Sequence, residues 1–127
     1  MISAKIQQAV GILNELGVDA WMIFTRESAG IHDPCLDLVV GGNVTWMSAF
    51  ILTRRGDRIA VLGSLDKAAH EMLGHYTRIV PYVQGITEPL VEVLERINPE
   101  KIAIDFSLDD EVSDGLTHGQ FLLLQKI

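Results

Sequence analysis

The chain has 127 residues and a net charge of −7, with 48% apolar and 21% charged residues. That is the balance of one globular domain able to bury about two thirds of its unfolded surface, not of a disordered chain. The acidic balance argues against nucleic acid, no apolar run approaches the ~18 residues of a membrane span, and no leader-like apolar segment follows Met1.

In chain order, Ser3 is placed to cap a first helix on which Ile6, Val10, Leu13 and Leu16 recur at helical spacing, and Gly17 ends it. Ala20-Trp21-Met22-Ile23-Phe24 is a continuous apolar run, the mark of a strand covered on both faces. Arg26 to His32 reads as loop. Asp33-Pro34 is an N-cap with proline at the first helical position, opening a short helix to Val40 that Gly41-Gly42 ends. Two apolar runs around the Arg-Gly-Asp turn predict an antiparallel hairpin pairing Phe50–Arg54 with Arg58–Leu62.

Beyond the hairpin, Ser64 is placed to cap a helix closed by Gly74, and residues 77–83 form a strand. Pro81 within it removes a backbone donor and calls for a sheet edge or a bulge. Thr87 is placed to cap a helix with Pro89 in its first turn and Leu90, Val91, Leu94 and Ile97 facing inward. Lys101 to Phe106 forms a fifth strand, an acidic loop follows, and a last helix begins at Thr117. It stops at Lys126-Ile127 without a glycine, proline or polar tail, as if inside a linker helix. The expected fold is one α/β domain over residues 1–127, three-layered, with a mixed sheet of about five strands and an internal antiparallel hairpin. Trp21, Ile23, Ile51, Val61 and Ile104 are its expected buried residues.

Enzyme motifs fail one by one. His70 and His75 are five apart with Gly74 between them, whereas two metal ligands on one helix face need a spacing of four, so they read as surface histidines. Asp105, Asp109, Asp110, Glu111 and Asp114 lack the central glycine of a calcium loop and read as a solvated acidic turn. Cys35 is the only cysteine, which leaves no disulfide framework or thiolate metal site and suits a reducing cytoplasm. Its place near a helix start with His32 allows a thiol nucleophile, but no third orienting group is near in sequence, and a buried small hydrophobe is the plainer account. No glycine-rich phosphate loop or serine elbow is present.

Leu13-Asn14-Glu15-Leu16-Gly17-Val18-Asp19-Ala20 resembles the opening of the creatinase, prolidase and aminopeptidase P family, a helix ending in Leu-Gly-Val-Asp-Ala before the first strand. Asn43-Val44-Thr45-Trp46-Met47-Ser48-Ala49-Phe50 is similar to that family's Asn-Ile-x-Tyr-Leu-Thr-Gly-Phe segment, with Trp46 and Ala49 at the tyrosine and glycine positions. Lys101-Ile102-Ala103-Ile104-Asp105 looks like the strand before the family's linker helix.

The resemblance implies the family's N-terminal domain, with a ribonuclease-H-like layout, no catalytic residue and no cofactor or metal ligand of its own. It implies a following C-terminal pita-bread domain that hydrolyses Xaa-Pro peptides with a divalent metal pair (Mn, Co or Zn). It further implies a cytoplasmic homodimer in which the N-terminal domain supports the subunit contact and walls the active site. Trp46, between the Gly-Gly turn and the hairpin, with Arg26, His32 and Asp37 on nearby loops, is the candidate rim facing a partner subunit or a substrate end. Packing of Trp46 into its own core is the competing account. A free-standing α/β module binding a small molecule or a protein is the alternative for the whole chain, with a nuclease-like enzyme a distant third.

Overall fold

A computed structural model describes residues 1–127. In chain order the elements are α1 (Ile2–Leu16), β1 (Ala20–Thr25), a one-turn π-helix (Leu36–Val40), β2 (Ser48–Thr53) and β3 (Arg58–Gly63). A 3-10 turn (Ser64–Asp66), α2 (Lys67–Leu73), β4 (Arg78–Tyr82), α3 (Thr87–Ile97), β5 (Ile102–Ile104), a second 3-10 turn (Glu111–Ser113) and α4 (His118–Lys126) follow. The five strands form one mixed sheet in the order β4-β3-β2-β1-β5. β2 is antiparallel to both neighbours, while β3 with β4 and β1 with β5 are parallel.

Strand alternation divides the core into two layers. Ile23, Phe50, Leu52, Ala60 and Leu62 face α1 and the π-helix, meeting Ile6, Leu13, Leu36, Val39 and Val40. Met22, Phe24, Ala49, Ile51, Ile59 and Val61 face Ile86, Leu90 and Val93, with Leu123, Leu124 and Ile127 at the margin. The result is the expected three-layer α/β domain with its hairpin, paired Ala49 to Val61 through Leu52 to Arg58. Gly56 at φ 97° closes that turn, a left-handed conformation costly for any other residue. Pro81 lies on β4, an edge strand that can forgo a donor.

Some local expectations are corrected. α1 starts at Ile2, so Ser3 sits inside it, and no side chain caps it. Ser64 begins a 3-10 turn, and Thr87 is the first residue of α3 after Ile86, so neither hydroxyl is a cap. Thr117 does cap α4, accepting from the Gln120 N–H. Ile23, Ile51 and Val61 are buried, but Trp21 and Ile104 are half-buried. The reason is the edge: β5 has three residues and no outer neighbour, so the side chains beside it are covered from one side only.

Candidate functional site

β1, β3, β4 and β5 end on one side of the sheet, where β2 begins. Trp46 lies on this rim, half-buried, with its indole over Gly63, the last residue of β3. A Cβ at Gly63 would overlap the ring, so glycine is needed there for the close approach. Tyr82, the last residue of β4, lies 5.9 Å from Trp46 between ring centroids and donates its hydroxyl to the Met47 carbonyl at 2.6 Å. Burial pushes the Tyr82 phenol up, and the Asp66 carboxylate adds to this.

Asp66 holds the Trp46 loop. Its buried carboxylate accepts the Thr45 N–H at 2.8 Å and the Thr45 hydroxyl at 2.9 Å. His70 ties down the other end of the loop, its Nε2 2.9 Å from the Asn43 carbonyl and its ring 5.3 Å from Phe50. His70 is therefore buried and structural, correcting its reading as a surface histidine. Asp66 had no distinguishing signal, because its partner is 21 residues upstream.

The four residues singled out from the sequence fall into three contacts. His32 and Asp37 pair with each other at 3.2 Å across an exposed surface. Arg26, just beyond β1, is exposed and lies beside Gly119 of α4, where a Cβ would come within 3.1 Å of its Nη2. Trp46 meets Gly63 and Tyr82.

Between His32 and Asp37 the chain dives inward at Asp33, which is 1% exposed and meets Asp105 and Cys35, with ligand-type atoms of all three within 4.8 Å of one another. Asp33 Oδ1 accepts the Cys35 N–H at 2.9 Å, and Asp105 Oδ1 accepts the Trp21 indole N–H at 2.6 Å. The Oδ2 atom of each carboxyl is buried and finds no conventional donor. The acidic loop folds back over the pair: Gly115 and Leu116 donate to the Asp105 carbonyl, and a Cβ at Gly115 would overlap the Asp33 carboxylate. Asp105 is thus not part of a solvated turn, as its sequence neighbourhood suggested; Asp109, Asp110, Glu111 and Asp114 are exposed.

Burial, and then the Asp33 charge, push Asp105 up to about 7. A proton on Asp105 gives the pair the O–H donor that its orphaned oxygens lack. Burial followed by the charges of Asp105 and Asp33 also pushes the Cys35 thiol well above its usual value, so it is not a thiolate nucleophile near neutral pH. Asp33, Cys35 and Asp105 are the residues that could hold a metal ion, and they offer neither histidine nor glutamate.

No family model matches the chain, and no curated protein matches it. Solved structures do. The creatinase/prolidase N-terminal domain of an X-Pro dipeptidase from Streptococcus pyogenes superposes with a TM-score of 0.74 at 15% identity, over 98% of this chain and 88% of that one. The N-terminal domain of an Xaa-Pro dipeptidase from Lactobacillus brevis gives 0.68 at 11% identity, over 96% and 86%. X-Pro aminopeptidase from Thermotoga maritima gives 0.71 at 14% identity, covering 95% of this chain but only 30% of the enzyme. The fold is that of the creatinase/prolidase N-terminal domain. The chain spans about 30% of the Thermotoga enzyme's length.

Proposed function

We propose that this chain is the N-terminal accessory domain of an Xaa-Pro metallopeptidase of the dipeptidase or aminopeptidase P type. The observation that carries the reading is the match in extent: it covers 88% and 86% of two excised N-terminal domains but about 30% of a whole enzyme. In this reading a C-terminal domain of the parent polypeptide would carry the divalent metal pair, which would supply Lewis-acid polarisation of the scissile carbonyl and an activated water. This chain's own residues do not fit that pair, since their one three-member group is two aspartates and a thiol, enough for a single ion at most and without histidine or glutamate.

The domain's contribution is positional. Asp66 and His70 hold the Trp46 loop rigid, and the exposed part of the indole, with Arg26 and the His32–Asp37 pair, is offered to a partner subunit or the end of a peptide. The parent is a homodimer of the cytoplasm. Trp46→Ala in the parent enzyme is the test, by steady-state kinetics and sedimentation. A raised KM or a weaker dimer with kcat retained is expected; unchanged KM and unchanged dimerisation would remove the rim from the account.

A further inference from the structure

At the opposite end of the sheet from the Trp46 rim, around the turn between β2 and β3, lies a cavity of about 720 Å³ lined by Arg54, Arg55, Arg58, Arg78 and Arg96. These are five of the ten basic residues in a chain whose net charge is −7. Three acids share the wall, Asp19, Asp57 and Glu100, so the lining carries a net +2, five arginines against three carboxylates.

Two of those acids are already engaged. Asp19 accepts the N–H groups of Glu100 and Lys101, each at 2.9 Å, and these bonds hold its carboxyl below the usual range. Asp57 accepts the Thr53 hydroxyl at 2.8 Å. Among the arginines, Arg54 approaches Asp19 at 3.9 Å and Arg58 donates to the Ser3 hydroxyl at 3.4 Å. Arg55, Arg78 and Arg96 have no side-chain hydrogen bond or ion pair, the chain's two pairs being His32–Asp37 and Arg54–Asp19. The carbonyl ends of α1 and α3 point to this end of the domain, at roughly half a negative charge each, and still leave the lining positive.

Three of the carriers sit on regular elements. Arg58 and Arg78 are the first residues of β3 and β4, and Arg96 lies in the last turn of α3 before Asn98, which is left-handed at φ 45°. Planar guanidinium forks gathered around one concavity match oxygens spread over adjacent anionic groups better than a single ion, and phosphate offers them bidentate geometry. The volume lies within the roughly 300–1,000 Å³ of small-ligand sites.

We propose that this cavity binds a small oligophosphate, a compound with two or more linked phosphate groups, at a site separate from the Trp46 rim and independent of the peptidase assignment. Free polyphosphate and the phosphate chain of a nucleotide are the two sources of this chemistry. Long-range attraction cannot mimic the site, because the protein as a whole repels anions at neutral pH.

Calorimetric titration of the protein with inorganic tripolyphosphate, adenosine triphosphate, citrate and orthophosphate tests it. One-to-one tripolyphosphate binding with Kd below about 100 μM at low salt is expected, weakening as salt rises. Binding of adenosine triphosphate tighter than tripolyphosphate names a nucleotide, and the reverse names polyphosphate. The double variant Arg78→Gln/Arg96→Gln should lose at least about tenfold with its melting curve intact, while Lys67→Gln, on α2, should bind as before. Absence of tripolyphosphate binding, citrate binding as tightly, or full affinity in the double variant would each overturn the proposal.

Discussion

The buried carboxyl pair makes stability fall with rising pH in a window where most proteins are level. Asp105 is raised from 3.8 to about 7 by burial and by Asp33, so the folded protein keeps a proton that the unfolded chain releases. Where the folded state binds more protons, stability declines as pH rises; the stabilisation is complete below about pH 4 and gone above about pH 7. At 1.36 kcal/mol per unit the full term is about 4 kcal/mol, of which roughly 2 kcal/mol lies between about pH 5 and pH 7.

Other shifted groups act elsewhere. Asp19 is lowered, so its contribution is present above 3.8 and is lost only at more acid pH. Cys35 is raised from 9.0, so its effect begins in alkali. Asp105→Asn preserves the shape: its amide oxygen accepts from Trp21, and its NH2 replaces the carboxyl O–H toward Asp33. Urea unfolding midpoints of both proteins at constant m-value are the assay. The wild type should lose about 3 kcal/mol from pH 5 to pH 8 while Asp105→Asn stays nearly level and is the more stable near pH 8. A wild-type profile that is flat or rising, or an equal fall in the variant, would refute the shared proton.

Trp46→Ala in this domain should cost roughly 2–3 kcal/mol, below the upper part of the ~3–5 kcal/mol of a fully buried aromatic, because part of the indole stays exposed; a loss of about 5 kcal/mol by chemical denaturation would return Trp46 to the core. Gly115→Ala puts a methyl into the Asp33 carboxylate and should destabilise by roughly 1–3 kcal/mol, with a midpoint shift in urea as the readout and no shift counting against the folded-back acidic loop. Zinc, manganese and cobalt titrations of the protein should show no submicromolar stoichiometric binding, since the one cluster offers no histidine and an ion there must displace the raised Cys35 proton; tight binding abolished by Asp33→Asn would make the cluster a metal site.

The layers were legible because their signals are local. The apolar run Ala20 to Phe24, the Arg-Gly-Asp turn and the left-handed glycines at 17, 41 and 74 each act within a few residues, and each marks a real boundary. The helix starts at Ser3, Ser64 and Thr87 were misplaced because a hydroxyl near an apolar run is also a tolerable helical residue. The buried pair was not legible at all. Asp33 and Asp105 lie 72 positions apart, and the acids after Asp105 mask the one that turns inward. The arginine cavity escaped for a similar reason: a net charge of −7 says nothing of how six arginines are distributed once β3, β4 and α3 converge.

The proposal to be tested first is that this fold serves a larger Xaa-Pro peptidase. Its most direct test is hydrolysis of an Xaa-Pro dipeptide by the product of the complete reading frame, beside the 127-residue chain alone and a chelator-treated sample. On that proposal the frame continues past Ile127 into a domain that holds a divalent metal pair. The complete product should then cleave the dipeptide in a metal-dependent way, and residues 1–127 alone should not. A complete product that leaves the dipeptide intact or cleaves it with the chelator present, or cleavage by residues 1–127 alone, would overturn it.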